Sequence, residues 1–323
     1  MLARRQVLPR PERLDGVFGR HLRPRYLCVI DDDPRNPDGY RIEDVDKWDT
    51  KRPEQTSGGY VFVSYTRSQF QTYQTYKSND PRITEAVFRT LEAMYMPDLQ
   101  ELVAIGKAAA KSANIKAFWI DLICLPSEVA NVDSHGICDI VRGADRMVIA
   151  VKYECLTRVF TEEQGEEAAD MDVLLQSWAS RLWTLPELLL APTRHDLTVY
   201  QVRANDPYST DIPVDVIPKR NMAERAYQDG LLVRKLVDHF ESSLHLTQIE
   251  LLTIGLECLL NRKYSAHLKT DPIYALMTLS QRRPTLNADG TLFEAFAQLS
   301  LLNDSNMLLE RLLCILPPIR GIP

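Results

Sequence analysis

The chain has 323 residues and a formal net charge of -6, and this acidic balance argues against nucleic acid as the main partner. Hydrophobic residues make up 45% of the chain and charged residues 25%, which is typical of a globular protein with a sizeable core. No apolar run approaches the roughly 18 residues of a membrane span. The basic start MLARRQVLPR is followed by PERLDG rather than by an apolar segment, so we expect neither a secretory signal nor a membrane anchor.

The six cysteines are widely scattered, and no C-x-x-C pair occurs among them. This pattern indicates reduced thiols rather than a disulfide framework or a zinc site, and it is typical of a cytosolic or nuclear protein. We therefore expect a cytoplasmic protein. The six residues are Cys28, Cys124, Cys138, Cys155, Cys258 and Cys314.

Four short runs have the continuous apolar, β-branched and aromatic character of strands that are buried on both faces. Helical patterns lie between them, and strands that alternate with helices predict an α/β fold with a parallel sheet. The four runs are YVFVSY at 60–65, AFWIDLI at 117–123, RMVIAV at 146–151 and LTVYQV at 197–202.

The changes in composition along the chain predict three parts. Residues 1–59 form an N-terminal extension with a lead-in loop, and residues 60–202 form the α/β domain. After about residue 203 the strand character largely disappears, so residues 203–323 are predicted to be a mainly helical extension that packs on the domain or follows it.

Ligands of an open parallel sheet gather at the carboxyl ends of the strands, which directs attention to Ser64 and Tyr65 after the first strand and to Asp121 after the second. A buried aspartate needs hydrogen bonds or a counter-charge. Asp121 is therefore either an acceptor for amides of the following turn or a ligand contact, and the residues alone leave both readings open. Four arginines are candidate counter-charges or phosphate contacts, although a solvated surface role is favoured for each: Arg67, Arg142, Arg146 and Arg181.

The stretch WASRLWTLPELLLAP at 178–192 places a carboxylate beside a stripe of leucines with helical spacing. Trp183 and Glu187 are four residues apart and share one face of a continuous helix. Pro186 lacks an N–H, so the helix either kinks there or restarts with this proline in its first turn. From the residues alone, Glu187 is more often an exposed or capping glutamate than a catalytic one.

Other constellations carry little functional signal. The segment DSHGICD at 133–139 has no second pair of ligands and favours a structural role over a metal site. No nucleophile elbow, dinucleotide-binding glycine motif or phosphate-cradling loop occurs in the chain. Cys124 follows a predicted strand, yet no histidine is obviously placed to activate it as a nucleophile.

Several of these segments, taken together and in order, resemble the fungal heterokaryon-incompatibility (HET) domain, which is itself similar to Toll/interleukin-1 receptor (TIR) domains. The similarity covers roughly Arg25 to Leu279, and the order of the motifs makes it more specific than any one motif. In both families a tryptophan and a glutamate have the spacing of Trp183 and Glu187. The segments are YVFVSYTRSQF, FWIDLICLPSE, GICDIVRGADRMVIAV, SWASRLWTLPELLLAP and NRKYSAHLKTDPIYALMTL.

This resemblance implies a TIR/flavodoxin-like parallel sheet flanked by helices, with a mainly helical C-terminal extension. Many TIR domains hydrolyse NAD, and the glutamate that corresponds to Glu187 is their catalytic residue. NAD would then be a substrate, and neither a cofactor nor a metal is expected. The resemblance implies that five further residues shape the dinucleotide site: Ser64, Tyr65, Arg67, Asp121 and Trp183.

The chemistry of NAD suits a single carboxylate. Glycoside cleavage ordinarily needs an acid for the leaving group and a carboxylate for the cationic sugar. Nicotinamide already carries positive charge in NAD and leaves neutral, so Glu187 alone could stabilise the developing cation. Attack by water would give ADP-ribose, and attack by the adenine would give a cyclic product. The resemblance also implies activation by self-association, with a role in non-self recognition and programmed cell death.

Two alternatives remain open. The chain departs from the HET pattern at RS after Ser-Tyr-Thr, at LPS after the cysteine turn and at Pro186 before the glutamate. These departures favour a non-catalytic signalling module that binds partners through its helices and the loop at 125–128, with Glu187 as a structural cap. A different nucleoside-transfer or nucleotide-cyclising activity at the same residues is the other alternative.

Overall fold

Seven strands form one mixed sheet in the computed structural model, which describes residues 24–45, 59–67, 69–70, 85–125, 136–152, 171–193, 195–202, 210–263, 271–280, 291 and 293–303. The strands are β1 (Tyr26–Ile30), β2 (Tyr40–Asp44), β3 (Tyr60–Ser64), β4 (Ala117–Trp119), β5 (Arg146–Val151), β6 (Leu197–Gln201) and β7 (Asp215–Ile217). Their order across the sheet is β2-β1-β4-β3-β5-β6-β7.

The four central strands are parallel, and their order is that of a flavodoxin-like sheet. Strands β4, β3, β5 and β6 pair in parallel, so the first of them along the chain lies between the second and the third. The chain therefore reverses its direction of winding at the β3/β5 boundary. In sheets of this kind the ligand lies in the crevice outside the carboxyl ends of the strands at that boundary.

The prediction of an α/β fold with a parallel sheet is confirmed, and each of the four predicted runs contains one of its central strands. The run at 117–123 forms a strand only over Ala117–Trp119, and a short helix begins at Asp121. All five residues of β3 are buried, as expected for a strand that is covered on both faces. Three antiparallel strands were not predicted. Strands β1 and β2 form a hairpin beside β4, and β7 is added beside β6. The sheet thus extends beyond the predicted limits of residues 60–202 at both sides.

The described helices lie between the strands and after them. They are α1 (Glu85–Ser112), α2 (Asp121–Cys124), α3 (Gly136–Gly143), α4 (Met171–Ala179), α5 (Thr184–Leu190), α6 (Lys219–Ala226), α7 (Gly230–Phe240), α8 (Gln248–Leu260) and α9 (Asp271–Leu279), followed by a helix α10 at 293–303. Helices α6 to α10 agree with the helical pattern predicted after about residue 222. Within the part of the chain that the structure describes, no helix is both long enough and apolar enough to cross a membrane.

The stretch at 178–192 is two helices rather than one kinked helix. Helix α4 ends at Ala179, and α5 begins at Thr184 with Pro186 in its first turn, where the missing N–H costs no hydrogen bond. The hydroxyl of Thr184 donates to the carbonyl oxygens of Trp178 at 3.2 Å and of Arg181 at 2.8 Å, and so ties the start of α5 to the end of α4. Of the two predicted alternatives, a kink at Pro186 or a new helix with this proline in its first turn, the structure shows the second.

The helical C-terminal part is attached to this same corner. After α8, the N–H of Lys263 donates to the carbonyl of Ser180 at 2.7 Å, and the Lys263 carbonyl accepts from the N–H of Leu182 at 3.3 Å. Helix α8 itself begins with a capping box between Thr247 and Glu250. The connection between α4 and α5 is thus held by backbone hydrogen bonds from the residue Lys263, which follows α8.

Helices α6 and α7 pack closely because Gly230 has no side chain. A Cβ on Gly230 would lie 2.8 Å from the carbonyl oxygen of Ala223 and 3.0 Å from the Cα of Glu224, and backbone atoms cannot easily move aside. We expect Gly230→Ala to lower the free energy of unfolding by about 1–3 kcal/mol, the usual cost of overpacking. Urea denaturation of the purified variant measures this loss.

Leu231→Ala is the matched control, because this neighbouring side chain on α7 is 75% exposed. Its expected effect is within about 0.5 kcal/mol. Equal stability of Gly230→Ala and the wild type would contradict the close packing of α6 on α7.

Candidate functional site

The Ser64 hydroxyl joins three elements at the carboxyl edge of the sheet. Ser64 is the last residue of β3, is 2% exposed, and its Oγ accepts a hydrogen bond from the indole Nε1 of Trp178 on α4 at 2.9 Å. The same hydroxyl donates to Oε2 of Glu187 on α5 at 2.5 Å. Because the indole N–H occupies a lone pair of Oγ, the hydroxyl hydrogen is directed towards the glutamate.

Glu187 therefore faces the sheet edge and not bulk solvent. Its side chain is partly buried, and burial is the largest factor that raises the pKa of this carboxyl, to about 8. The hydrogen bond from Ser64 acts in the opposite direction and lowers the pKa, while the negative charge of Asp121 raises it further. A carboxyl that holds its proton at neutral pH at a sheet edge is a functional-site candidate.

Asp121 is held by several donors in the turn after β4. One carboxylate oxygen accepts from the Tyr65 hydroxyl and, at 2.7 Å, from the backbone N–H of Leu122. The other oxygen lies 3.6 Å from a guanidinium nitrogen of Arg67. Of the two readings left open for Asp121, the structure shows an acceptor for the following amide together with a counter-charge, and a ligand contact stays a prediction.

The two acidic groups belong to one site because Ser64 and Tyr65 are neighbours in the chain. Ser64 reaches Glu187, and Tyr65 reaches Asp121. Burial raises the pKa of the Tyr65 phenol well above its ordinary value, and the negative charges of Asp121 and Glu187 act in the same direction, so Tyr65 remains a neutral hydrogen-bond donor. Arg67 is 53% exposed and adds a positive charge at the rim of the site.

Trp183 lies one helical turn before Glu187. It precedes the first residue of α5, and its carbonyl accepts the N–H of Glu187 at 3.2 Å, which sets the four-residue relation between the two in helical geometry. The indole packs against the core and is partly buried. Its place beside a nicotinamide ribose remains a prediction.

Trp178 is the site residue that the sequence did not reveal. Its position in a leucine stripe predicts a core residue, and the side chain is indeed fully buried at 0% exposure. The functional part is the single polar atom of the ring, which holds the Ser64 hydroxyl. Only the tertiary structure shows this partner, because Ser64 and Trp178 are 114 residues apart.

Residues of the C-terminal helices lie directly behind Trp178. The ring of Tyr227, between α6 and α7, meets the indole edge-to-face at 6.2 Å, and its hydroxyl donates to the carbonyl of Thr184 at 3.3 Å. The guanidinium of Arg262 lies 4.7 Å from the Tyr227 ring centroid and pairs with Asp229. The site is therefore supported from the segment at 210–263 as well as from the sheet. No residue pattern in the sequence points to Tyr227 or Arg262.

The remaining sequence candidates lie elsewhere or have structural partners. Arg142 donates to the carbonyl of Thr278 at 2.9 Å, and so links α3 to α9.

Cys124 is 2% exposed, with its sulfur 3.7 Å from that of Cys28, and this burial does not suit a nucleophile. The four described cysteines are free thiols: Cys28, Cys124, Cys138 and Cys258. Within the described ranges no group of three metal-binding side chains occurs; Asp133 and His135 lie outside them.

Comparison with known proteins assigns this chain to no group. No protein-family model matches it, and no curated protein or solved structure is significantly similar to it. The geometry of Ser64, Tyr65, Asp121, Trp178 and Glu187 therefore has to be interpreted on its own chemistry.

Proposed function

We propose that this protein hydrolyses NAD to nicotinamide and ADP-ribose, with Glu187 as the catalytic residue. The observation that carries the proposal is the hydrogen bond of 2.5 Å from Ser64 at the end of β3 to the Glu187 carboxyl. It places an acidic group at the carboxyl edge of the central strand, next to the β3/β5 boundary where such sheets bind ligands.

The reaction needs a group that stabilises positive charge on the ribose. The bond between C1′ and the nicotinamide nitrogen breaks with its electron pair going to the nicotinamide, which leaves neutral. An ionised Glu187 beside C1′ would stabilise the resulting oxocarbenium ion, and Ser64 would keep the carboxylate in place. Addition of water to C1′ then gives ADP-ribose, and addition of the adenine nitrogen gives the cyclic product.

The surroundings suit a dinucleotide in their charge as well. The cationic nicotinamide ring would favour the ionised form of Glu187, because a nearby positive charge lowers the pKa of a carboxyl. Arg67 is 53% exposed at the rim and has the bidentate geometry that binds phosphate. Tyr65 and Asp121 are the hydrogen-bonding groups for ribose hydroxyls, and Trp183 is the aromatic side chain closest in sequence to the acid.

The HET and TIR resemblance extends the proposal to the cell. By that resemblance the protein acts in non-self recognition and programmed cell death, it self-associates through the α/β part, and clustering activates it. The acidic balance of the chain argues against a nucleic-acid partner, and the lack of a long apolar run argues against a membrane partner. A cytoplasmic location agrees with the scattered cysteines.

A non-catalytic signalling module is the second candidate. The hydrogen bond between Ser64 and Glu187 joins β3 to α5, and a carboxyl with a pKa of about 8 is neutral at physiological pH. Both facts suit a structural tie. In that case the helices and the loop at 125–128 would bind partner domains, and removal of Glu187 would affect stability rather than any reaction.

Glu187→Ala and Glu187→Gln should lower kcat/KM for NAD cleavage by about 100-fold or more, the usual loss when a preorganised group that stabilises the transition state is removed. Nicotinamide release is followed by chromatography, with purified protein both dilute and artificially clustered. Glu257→Gln, an exposed glutamate on α8, is the matched control and should keep full activity.

Urea denaturation establishes that each variant is folded before its activity is compared. Full activity of both Glu187 variants would remove Glu187 from the mechanism. No nicotinamide release by the wild type in either state would favour the signalling module.

The pH dependence of NAD cleavage should report the ionisation of Glu187. Since the pKa of Glu187 is about 8 and the ionised form is the active one, kcat/KM should rise about tenfold per pH unit below 8 and become constant above it. Initial rates at low NAD between about pH 6 and 10 measure this profile. A rate that is constant across this range would mean that Glu187 does not titrate in the free enzyme or does not act as the base form.

A further inference from the structure

Asp121 and Glu187 are two carboxyl groups of one site in opposite surroundings. Asp121 accepts hydrogen bonds from the Tyr65 hydroxyl and the Leu122 N–H and lies 3.6 Å from the guanidinium of Arg67. Asp121 is therefore the carboxyl group of the pair that is surrounded by hydrogen-bond donors and a counter-charge.

Glu187 is the member that carries the proton. Among the residues that the structure describes, Ser64 alone donates a hydrogen bond to its carboxyl. Burial and the charge of Asp121 both oppose a second negative charge, and they raise the pKa of Glu187 to about 8. Pairs of titratable groups whose environments separate them in this way are the usual mark of a general acid and a general base.

The other titratable groups around Glu187 leave the proton on its carboxyl. Tyr65 from the end of β3 and Tyr227 from the α6–α7 connection are neutral phenols, because burial raises the pKa of each. Arg67 pairs with Asp121, and Arg262 pairs with Asp229.

We infer that the site also cleaves nucleosides and nucleotides whose base is uncharged, with Glu187 as general acid and Asp121 as general base. Such bases are poor leaving groups until a ring nitrogen is protonated, whereas nicotinamide needs no acid. The inference rests on the proposed function in that it uses the same ribose-binding site. The inference goes beyond the proposed function by adding a substrate class that a single carboxylate could not cleave.

Each step has a defined source and destination for its proton. The proton of Glu187 passes to a nitrogen of the base, while the electrons of the bond between C1′ and the base go to the base. Water adds to C1′ of the oxocarbenium ion and gives its proton to Asp121. That proton returns to Glu187 through solvent, so the net reaction is riboside plus water to free base plus ribose.

Nicotinamide mononucleotide and adenosine monophosphate are matched probes, because they share ribose 5′-phosphate and differ in the base. Release of nicotinamide or adenine is measured by chromatography, with dilute and clustered protein. For the adenine substrate, kcat/KM should be constant between about pH 6 and 7 and fall about tenfold per pH unit above 8, since the acid form of Glu187 is required. The nicotinamide substrate should show the opposite slope.

Variants separate the two roles. Glu187→Gln and Asp121→Asn should each lower adenine release by about 100-fold or more. Asp211→Asn, at an exposed aspartate before β7, is the control for the loss of one charge and should keep full activity.

The outcomes for the two substrates are distinguishable. Nicotinamide release without adenine release at any pH overturns this inference and leaves the proposed function intact. Adenine release with the expected fall above pH 8, without nicotinamide or NAD cleavage, supports the inference and overturns the proposed NAD hydrolysis. Adenine release that rises with pH, or that survives in Glu187→Gln, overturns the acid role. Release from neither substrate overturns both proposals.

A measurement of stability tests the proton on Glu187 independently of activity. A carboxyl with a raised pKa stabilises the folded state at low pH, and this contribution is lost as the pH rises through the folded-state value. The unfolding free energy of the wild type should therefore fall relative to that of Glu187→Gln between about pH 4.5 and 8 and run parallel to it above. A difference that does not change with pH would show that Glu187 is ionised in the folded protein, which overturns the inference.

Discussion

The hydroxyl of Ser64 is the interaction on which the candidate site depends. It accepts from the Trp178 indole and donates to the Glu187 carboxyl, so one oxygen atom joins the central strand β3 to helices α4 and α5. A buried hydroxyl needs such partners, because an unpaired polar group in the core costs stability. The same requirement that stabilises the packing of α4 and α5 on the sheet therefore also aims the acidic group at the ligand-binding edge.

The electrostatics of the site depend on which of its two carboxyl groups accepts more hydrogen bonds. Asp121 lies in a tight turn where an amide, a phenol and a guanidinium converge, and Glu187 lies on a leucine-rich helix where one hydroxyl is its donor among the described residues. The difference in surroundings gives Asp121 the donors and a counter-charge, and burial raises the pKa of Glu187 to about 8. A mechanism with Glu187 alone uses one of these two carboxyl groups. A general acid and a general base together use both.

The parallel core was predictable because strands that are buried on both faces leave continuous apolar runs, and each such run became a central strand. Strand β1 is a continuous apolar run that the prediction did not include. Strands β2 and β7 were not predictable from periodicity. Strand β2 carries exposed and partly exposed positions at the sheet edge, and β7 is three residues long, so neither has an unbroken apolar signature. Ser64, Tyr65 and Asp121 were located by their place at strand ends, which the rule for parallel sheets makes informative.

The sequence by itself determined the α/β architecture and the strand ends at which chemistry could lie. It also determined that an undisturbed helix could not run through Pro186, since these features depend on local pattern and backbone chemistry. The tertiary structure decided the direction in which Glu187 points, the partnership of Trp178 with Ser64, and the support from Tyr227 and Arg262 behind them. These contacts join residues that are far apart in the chain. The surroundings of a charged group depend on such contacts, so no local sequence pattern could reveal these surroundings.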